Sequence, residues 1–265
     1  MNTVRSKDGT TIAYDRLGQG PTLILVSGAM ATRADAAATA ESLGRHFTVF
    51  AYDRRGRGKS GDTAPYAIQR EIEDLDALIT EAGGSAFVFG HSSGAILALD
   101  AARLLANTRL TKLALYEPPL MTDTSHPRLP EDFVTHLNEL IAAGQRGEAV
   151  VYFMTVAIGM SAEAVAQMRT SPMWPNLEAV APTLAYDGAI TMDTAIGSPL
   201  PLKKWASIQV PMLVMSGGKS FSFMPEAART LTEVLPNAQY RHFPDQDHGI
   251  QREVLVPALV EFFLG

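Results

Sequence analysis

Ala86-Phe87-Val88-Phe89-Gly90-His91-Ser92-Ser93-Gly94-Ala95 is the stretch that decides the fold. An apolar run of strand character ends in Gly-x-Ser-x-Gly, and a helical pattern from Gly94 to Leu105 follows at once. That context makes Ser92 a candidate nucleophile: a tight strand-to-helix turn exposes the serine oxygen, and side chains at the flanking glycines would collide with the turn. Gly94, Ala95 and Ala98 keep the following helix slim where it must approach a sheet. The helix N-terminus also brings partial positive charge to the reaction centre. Ser93 is the rival serine, but only Ser92 is centred between the glycines.

Outward from this turn, apolar runs bounded by turn residues recur. Leu23–Val26 ends at Ser27-Gly28, Phe47–Tyr52 at Asp53-Arg54-Arg55-Gly56, and Leu113–Tyr116 at Glu117-Pro118-Pro119. Met212–Met215 and Gln239–Phe243 follow near the C-terminus. Runs apolar on both faces are what a parallel sheet covered by helices requires. Helical patterns lie between them at Gln69–Ala82, Pro225–Leu235 and Glu253–Leu264. Strand–helix alternation predicts an open α/β sheet with ligands at the carboxyl ends of its strands. From Pro118 to Ser207 the rhythm breaks into helical segments alone, Glu131–Ala143, Glu148–Ile158 and Ala162–Arg169. Residues 118–207 are therefore expected to form a helical cap inserted in a core of residues 1–117 and 208–265.

Composition narrows the chemistry. A chain of 265 residues with 46% hydrophobic side chains can bury a sizeable core. The absence of cysteine removes disulfides, thiolate metal sites and a cysteine nucleophile. A net charge of −6 argues against general nucleic-acid binding. No apolar run is long enough to span a bilayer, and the first nine residues hold no apolar leader. A soluble, cytoplasmic protein without membrane or nucleic-acid partners is expected, with a homodimer left open.

These motifs together resemble the α/β-hydrolase fold superfamily. The resemblance spans nearly all of the chain outside the inserted segment. It rests on Asp8-Gly9, on Ser27-Gly28-Ala29, on Tyr52-Asp53-Arg54-Arg55-Gly56-Arg57-Gly58-Lys59-Ser60, on the elbow and on Asp247-His248. A serine nucleophile needs a general base within hydrogen-bond reach. Of the six histidines, His248 lies in the loop after the last strand, where the family carries its base. His242 lies inside a strand, His126 and His136 in the inserted segment, and His91 should point away from its neighbour Ser92.

The third member departs from the commonest family pattern. After the seventh strand the family usually carries Gly-x-x-Asp, but this chain reads Gly217-Gly218-Lys219-Ser220. A Ser–His dyad, an inactive protein and an acid placed elsewhere are the three explanations. The family has an alternative acid position at the end of the sixth strand, where this chain has Glu117. Some haloalkane dehalogenases and the fungal zearalenone lactonase type are similar in using a glutamate there. Asp247 and Asp187 are the weaker candidates.

For the oxyanion, the resemblance implies the backbone amides of Ser93 and of Ala29, although Ser27-Gly28-Ala29 replaces the familiar His-Gly-x. Met30, Phe221 and Phe223, with Met154 and Trp174 of the inserted segment, are expected to form an apolar substrate pocket. Gly56-Arg57-Gly58-Lys59-Ser60-Gly61 imitates a nucleotide-binding loop, but Asp62-Thr63-Ala64-Pro65 follows in place of a helix. Arg54, Arg55, Arg57 and Lys59 are expected on a solvated turn, paired with neighbouring acids. The expectation is a cofactor-free, metal-free serine hydrolase cleaving a small uncharged ester or lactone through Ser92, His248 and Glu117. A C–C bond hydrolase, a perhydrolase and a noncatalytic ligand sensor are the alternatives on the same scaffold.

Overall fold

The structure, a computed structural model, describes residues 1–105, 108–124 and 126–265. Its centre is an eight-stranded sheet: β1 (Asn2–Arg5), β2 (Thr11–Leu17), β3 (Thr22–Val26), β4 (Thr48–Tyr52), β5 (Ala86–His91), β6 (Leu110–Tyr116), β7 (Met212–Gly217) and β8 (Ala238–Phe243). The spatial order is β1-β2-β4-β3-β5-β6-β7-β8. β1 and β2 pair antiparallel with their neighbours, and the strands from β4 through β8 pair in parallel.

Alternate residues of the central strands serve two separate cores, which is why these strands read as continuous apolar runs. Ile24, Val26, Val88, Leu113, Leu115 and Val214 pack into one cluster with α2 (Ile68–Glu81), α3 (Ser93–Leu104) and α9 (Met224–Val234). Leu23, Leu25, Phe89, Ala114, Leu213 and Met215 pack on the opposite face with α1 (Ala37–Leu43) and α10 (Arg252–Leu264).

The six strands and four helices expected of the core are present, with ends shifted by at most three residues. The edge strand β1, its neighbour β2 and the helix α1 are additions. They carry mixed polar and apolar residues, such as Tyr14-Asp15-Arg16-Leu17, in place of an apolar run.

Between β6 and β7 the described residues form helices and no strand: α4 (Phe133–Ala142), α5 (Arg146–Tyr152), α6 (Ala162–Arg169), α7 (Trp174–Val180) and α8 (Leu184–Met192). They share an apolar cluster of their own around Phe133, Val150, Phe153, Trp174 and Leu184. The segment is anchored below as well, since Ile190 of α8 and Leu202 and Trp205 just before β7 belong to the core under the sheet. Trp205 donates its indole N–H to the buried Asp100 at 2.8 Å. Among the described residues no helix is long and apolar enough to cross a membrane.

Candidate active site

Three strand ends build the site, and each carries a non-glycine residue with positive φ. These are Met30 just beyond β3 (φ 60°), Ser92 after β5 (φ 56°) and Glu117 after β6 (φ 47°), the only such residues among those described. A left-handed backbone at a residue with a Cβ is costly and persists where surrounding structure holds it, most often at functional sites.

At β5 the strand passes into α3 through Ser92, whose ψ of −128° completes the elbow. The flanking glycines are required by contact. A Cβ on Gly90 would lie 2.7 Å from the Cα of Ala95, and one on Gly94 would lie 2.4 Å from the carbonyl oxygen of Val26. Ser93 is the first residue of α3, so its N–H is one of the donors a helix leaves without an internal acceptor.

His248 follows β8 in a loop held by donors from the sheet. Tyr116 donates its hydroxyl to the carbonyl of Asp247. Burial and the adjacent Glu117 push the Tyr116 hydroxyl above its ordinary range, which keeps it protonated. The Nε2 of His91 sits 2.8 Å from the carbonyl oxygen of His248, which requires an N–H there. Burial and the neighbouring His248 push His91 down to about 4, so this ring is a neutral donor at physiological pH. His91 thus supports the loop that carries His248.

The side chain of Glu117 is fully buried, with its carboxylate saturated by donors. Oε2 lies 2.6 Å from Nδ1 of His248 and accepts the Ser220 hydroxyl at 2.6 Å, while Oε1 accepts the Gly217 N–H at 2.8 Å. An ionised carboxylate only accepts, so the proton of this pair sits on Nδ1 and leaves Nε2 of His248 as the basic nitrogen. Asp247 points elsewhere, accepting the Gly249 N–H at 2.8 Å.

Ser92, His248, Gly28, Ala29, Met30 and Ser93 line a single cavity of about 210 Å³. Phe221 and Phe223 complete one wall, and Phe221 sets its ring edge-on to that of His248 at 5.6 Å between centroids. Further lining comes from Phe153, Ala157 and Ile158, where α5 runs into a π-helical turn. Met154 and Trp174, expected at this pocket, are not among its lining residues. Both are buried in the cluster shared by the inserted helices, and Trp174 donates to Glu178 at 2.9 Å. Beside Met154, Phe153 and Ala157 do face the cavity, because helical spacing sends adjacent residues to different sides.

The arginine loop requires a correction. Arg54, Arg55 and Arg57 were expected on a solvated turn, yet each is 1% exposed. Their acids lie far along the chain. Arg54 forks onto Glu71 through two contacts of 2.7 Å, Arg55 pairs with Asp74 and Asp8, and Arg54 and Arg57 both reach Asp187 on α8. Burial alone would push the Asp187 carboxyl up, but Arg57 and Arg54 beside it hold it below the usual carboxylate range. A charged stretch looks solvated in sequence because partners up to 133 residues away are invisible there.

The alpha/beta hydrolase family matches this chain over residues 23–258. The crystal structure of an alpha/beta hydrolase from Sphaerobacter thermophilus is 51% identical and superposes with a TM-score of 0.91, covering 99% of this chain and 100% of that one. The enol-lactonase from Burkholderia xenovorans shares the fold with a TM-score of 0.72 at 20% identity, covering 100% of both chains. N-formylmaleamate deformylase from Pseudomonas putida is 35% identical over 106 residues, 39% of each chain. The stretches matched in the curated relatives span only 35% to 39% of their length. With the family match running from β3 into α10, and with a relative of the same fold 51% identical along its whole length, this chain belongs to the alpha/beta hydrolase family.

Proposed function

We propose that the protein hydrolyses a small uncharged carboxylic ester or lactone through an acyl-enzyme on Ser92, with His248 as general base and Glu117 as the acid of the triad. The observation that carries this reading is the 2.6 Å contact between a buried glutamate and Nδ1 of a histidine that shares a cavity with an elbow serine.

In the reaction, the Ser92 oxygen adds to the substrate carbonyl while Nε2 of His248 takes its proton. Glu117 holds the imidazole in the required tautomer and stabilises its cation. The carbonyl oxygen, now an oxyanion, is received by the amides of Ala29 and Ser93, each such donor being worth about 3 kcal/mol. His248 returns the proton to the departing alkoxide. Water, activated by the same nitrogen, then cleaves the acyl-enzyme and regenerates Ser92. In a lactone the alkoxide stays tethered to the acyl group, and the product is a hydroxy acid.

Substrate class follows from the cavity. Its walls are Met30, Met121, Leu129, Phe153, Ile158 and Phe221, and its carboxylate, Asp187, is neutralised by two arginines. A charged substrate would lose hydration there without gaining a free counter-charge. Residues 118–207 act in this reading as the cap that closes the cavity over the strand ends.

Treatment with a fluorophosphonate and mapping of the adduct by mass spectrometry tests the nucleophile. An adduct on Ser92, together with turnover of short-chain p-nitrophenyl esters or small lactones, is the expected result. A protein left unmodified at Ser92 would sink the proposal in favour of a noncatalytic ligand sensor.

A further inference from the structure

Asp187 is a buried carboxylate at the cavity with no place in the triad, since His248 is already paired with Glu117. Its contacts run instead toward both oxyanion donors. Oδ1 accepts the Ser93 hydroxyl at 2.7 Å and Arg54 Nη1 at 2.7 Å, and Oδ2 accepts Arg57 Nη2.

Arg57 turns this contact into control of the loop after β3. Its Nη1 donates to the carbonyl of Gly28 at 2.6 Å and reaches that of Ala31 at 3.3 Å, while Arg54 Nη1 approaches the carbonyl of Ser27 at 3.3 Å. In a planar trans peptide the C=O and the following N–H point in opposite directions. Drawing the Gly28 carbonyl toward the buried Arg57, which does not line the cavity, therefore aims the Ala29 N–H at the cavity side. The loop also sits hard against the nucleophile, because a Cβ on Gly28 would lie 2.8 Å from the Cβ of Ser92. On the other side, the Ser93 hydroxyl fixes the residue whose backbone N–H is the second donor.

We propose that Asp187, carried by α8 of the inserted helices, is the positioning residue that ties both oxyanion-hole amides, Ala29 through Arg57 and Ser93 through its hydroxyl, to one carboxylate. The inference rests on the acyl-transfer role of Ser92. It implies that the inserted helices do more than cover the substrate: their seating determines whether the oxyanion hole is assembled.

The test separates transition-state from ground-state effects. A trifluoromethyl ketone takes up the Ser92 oxygen at its carbonyl carbon, the serine proton passes to His248, and the ketone oxygen becomes an oxyanion in the hole. Its affinity therefore reads the hole directly, whereas the KM for p-nitrophenyl acetate reads mainly the apolar walls. Asp187→Asn places an NH₂ group or a neutral oxygen where guanidinium N–H groups need an anion. It should lower kcat and ketone affinity together, by about 10- to 100-fold, with KM changed less than about threefold.

Because this variant leaves buried arginines short of counter-charge, Ser93→Ala guards against loss of folding. It cuts one tether, keeps the backbone N–H, and should cost about 3- to 10-fold in both quantities. Wild-type kcat and ketone affinity in Ser93→Ala, or a fall in kcat without a matching fall in ketone affinity in either variant, overturns the tether. If the wild-type protein neither turns over esters nor takes the fluorophosphonate on Ser92, the acyl-transfer reading fails first and the tether falls with it.

Discussion

β6 and β7 are neighbours in the sheet, and their carboxyl ends face the same histidine with different chemistry. β6 ends in Glu117, buried and in a left-handed conformation, with its carboxylate against Nδ1 of His248. β7 runs into Gly217-Gly218-Lys219-Ser220, which supplies an N–H and a hydroxyl to that same carboxylate. One end supplies the charge, and the other supplies the donors that hold it. The comparison teaches that reach to the histidine, not address in the chain, decides which strand end can present a carboxylate to it, and in the proposed triad a longer side chain on the adjacent strand does so.

Exchanging the two ends tests that lesson. Glu117→Gln keeps the shape but removes the charge, and it should lower ester turnover by about 10²- to 10⁴-fold with Ser92 still present. Turnover measured within a few-fold of wild type would instead point to a dyad. Adding Ser220→Asp to Glu117→Gln returns a carboxylate from the β7 side, and steady-state kinetics should recover about tenfold of the loss. No recovery would mean that the β7 loop cannot aim an acid at Nδ1, which would sharpen the contrast. Ser220→Ala alone removes one donor to Glu117 and should cost a few-fold in kcat, consistent with about 1 kcal/mol for a hydrogen bond to a carboxylate that keeps its other partners.

Legibility in the sequence followed the range of the interaction. The elbow was readable because Gly90, Ser92 and Gly94 carry their constraint within one turn. The central strands were readable because both their faces are buried, so Leu23-Ile24-Leu25-Val26 shows as an unbroken apolar run. β1 is the edge strand and β2 the next one in, and their partly exposed polar residues leave no such run. Glu117 could be named only through the resemblance, since nothing local marks the sixth strand end as lying beside His248. The burial of Arg54 and Arg57 depends on Asp187 in a distant helix, and composition alone gave the opposite expectation. Met154 and Trp174 show the same limit, because an apolar residue on a short helix faces a neighbour as readily as a ligand.

The three left-handed residues at the site carry a cost for the molecule as a whole. Met30, Ser92 and Glu117 each hold a side chain where glycine would rest more easily, a burden of about 1–3 kcal/mol apiece. In the proposed reaction the nucleophile Ser92 and the acid Glu117 are therefore not the residues the backbone would choose for itself. Laboratory evolution rewarded only for heat resistance would be drawn to Met30 and Ser92, where glycine relieves that strain, and at Ser92 it would remove the proposed nucleophile. A library filtered on melting temperature alone would thus lead away from the proposed nucleophile, and its improved members would mark the strand ends where strain is held.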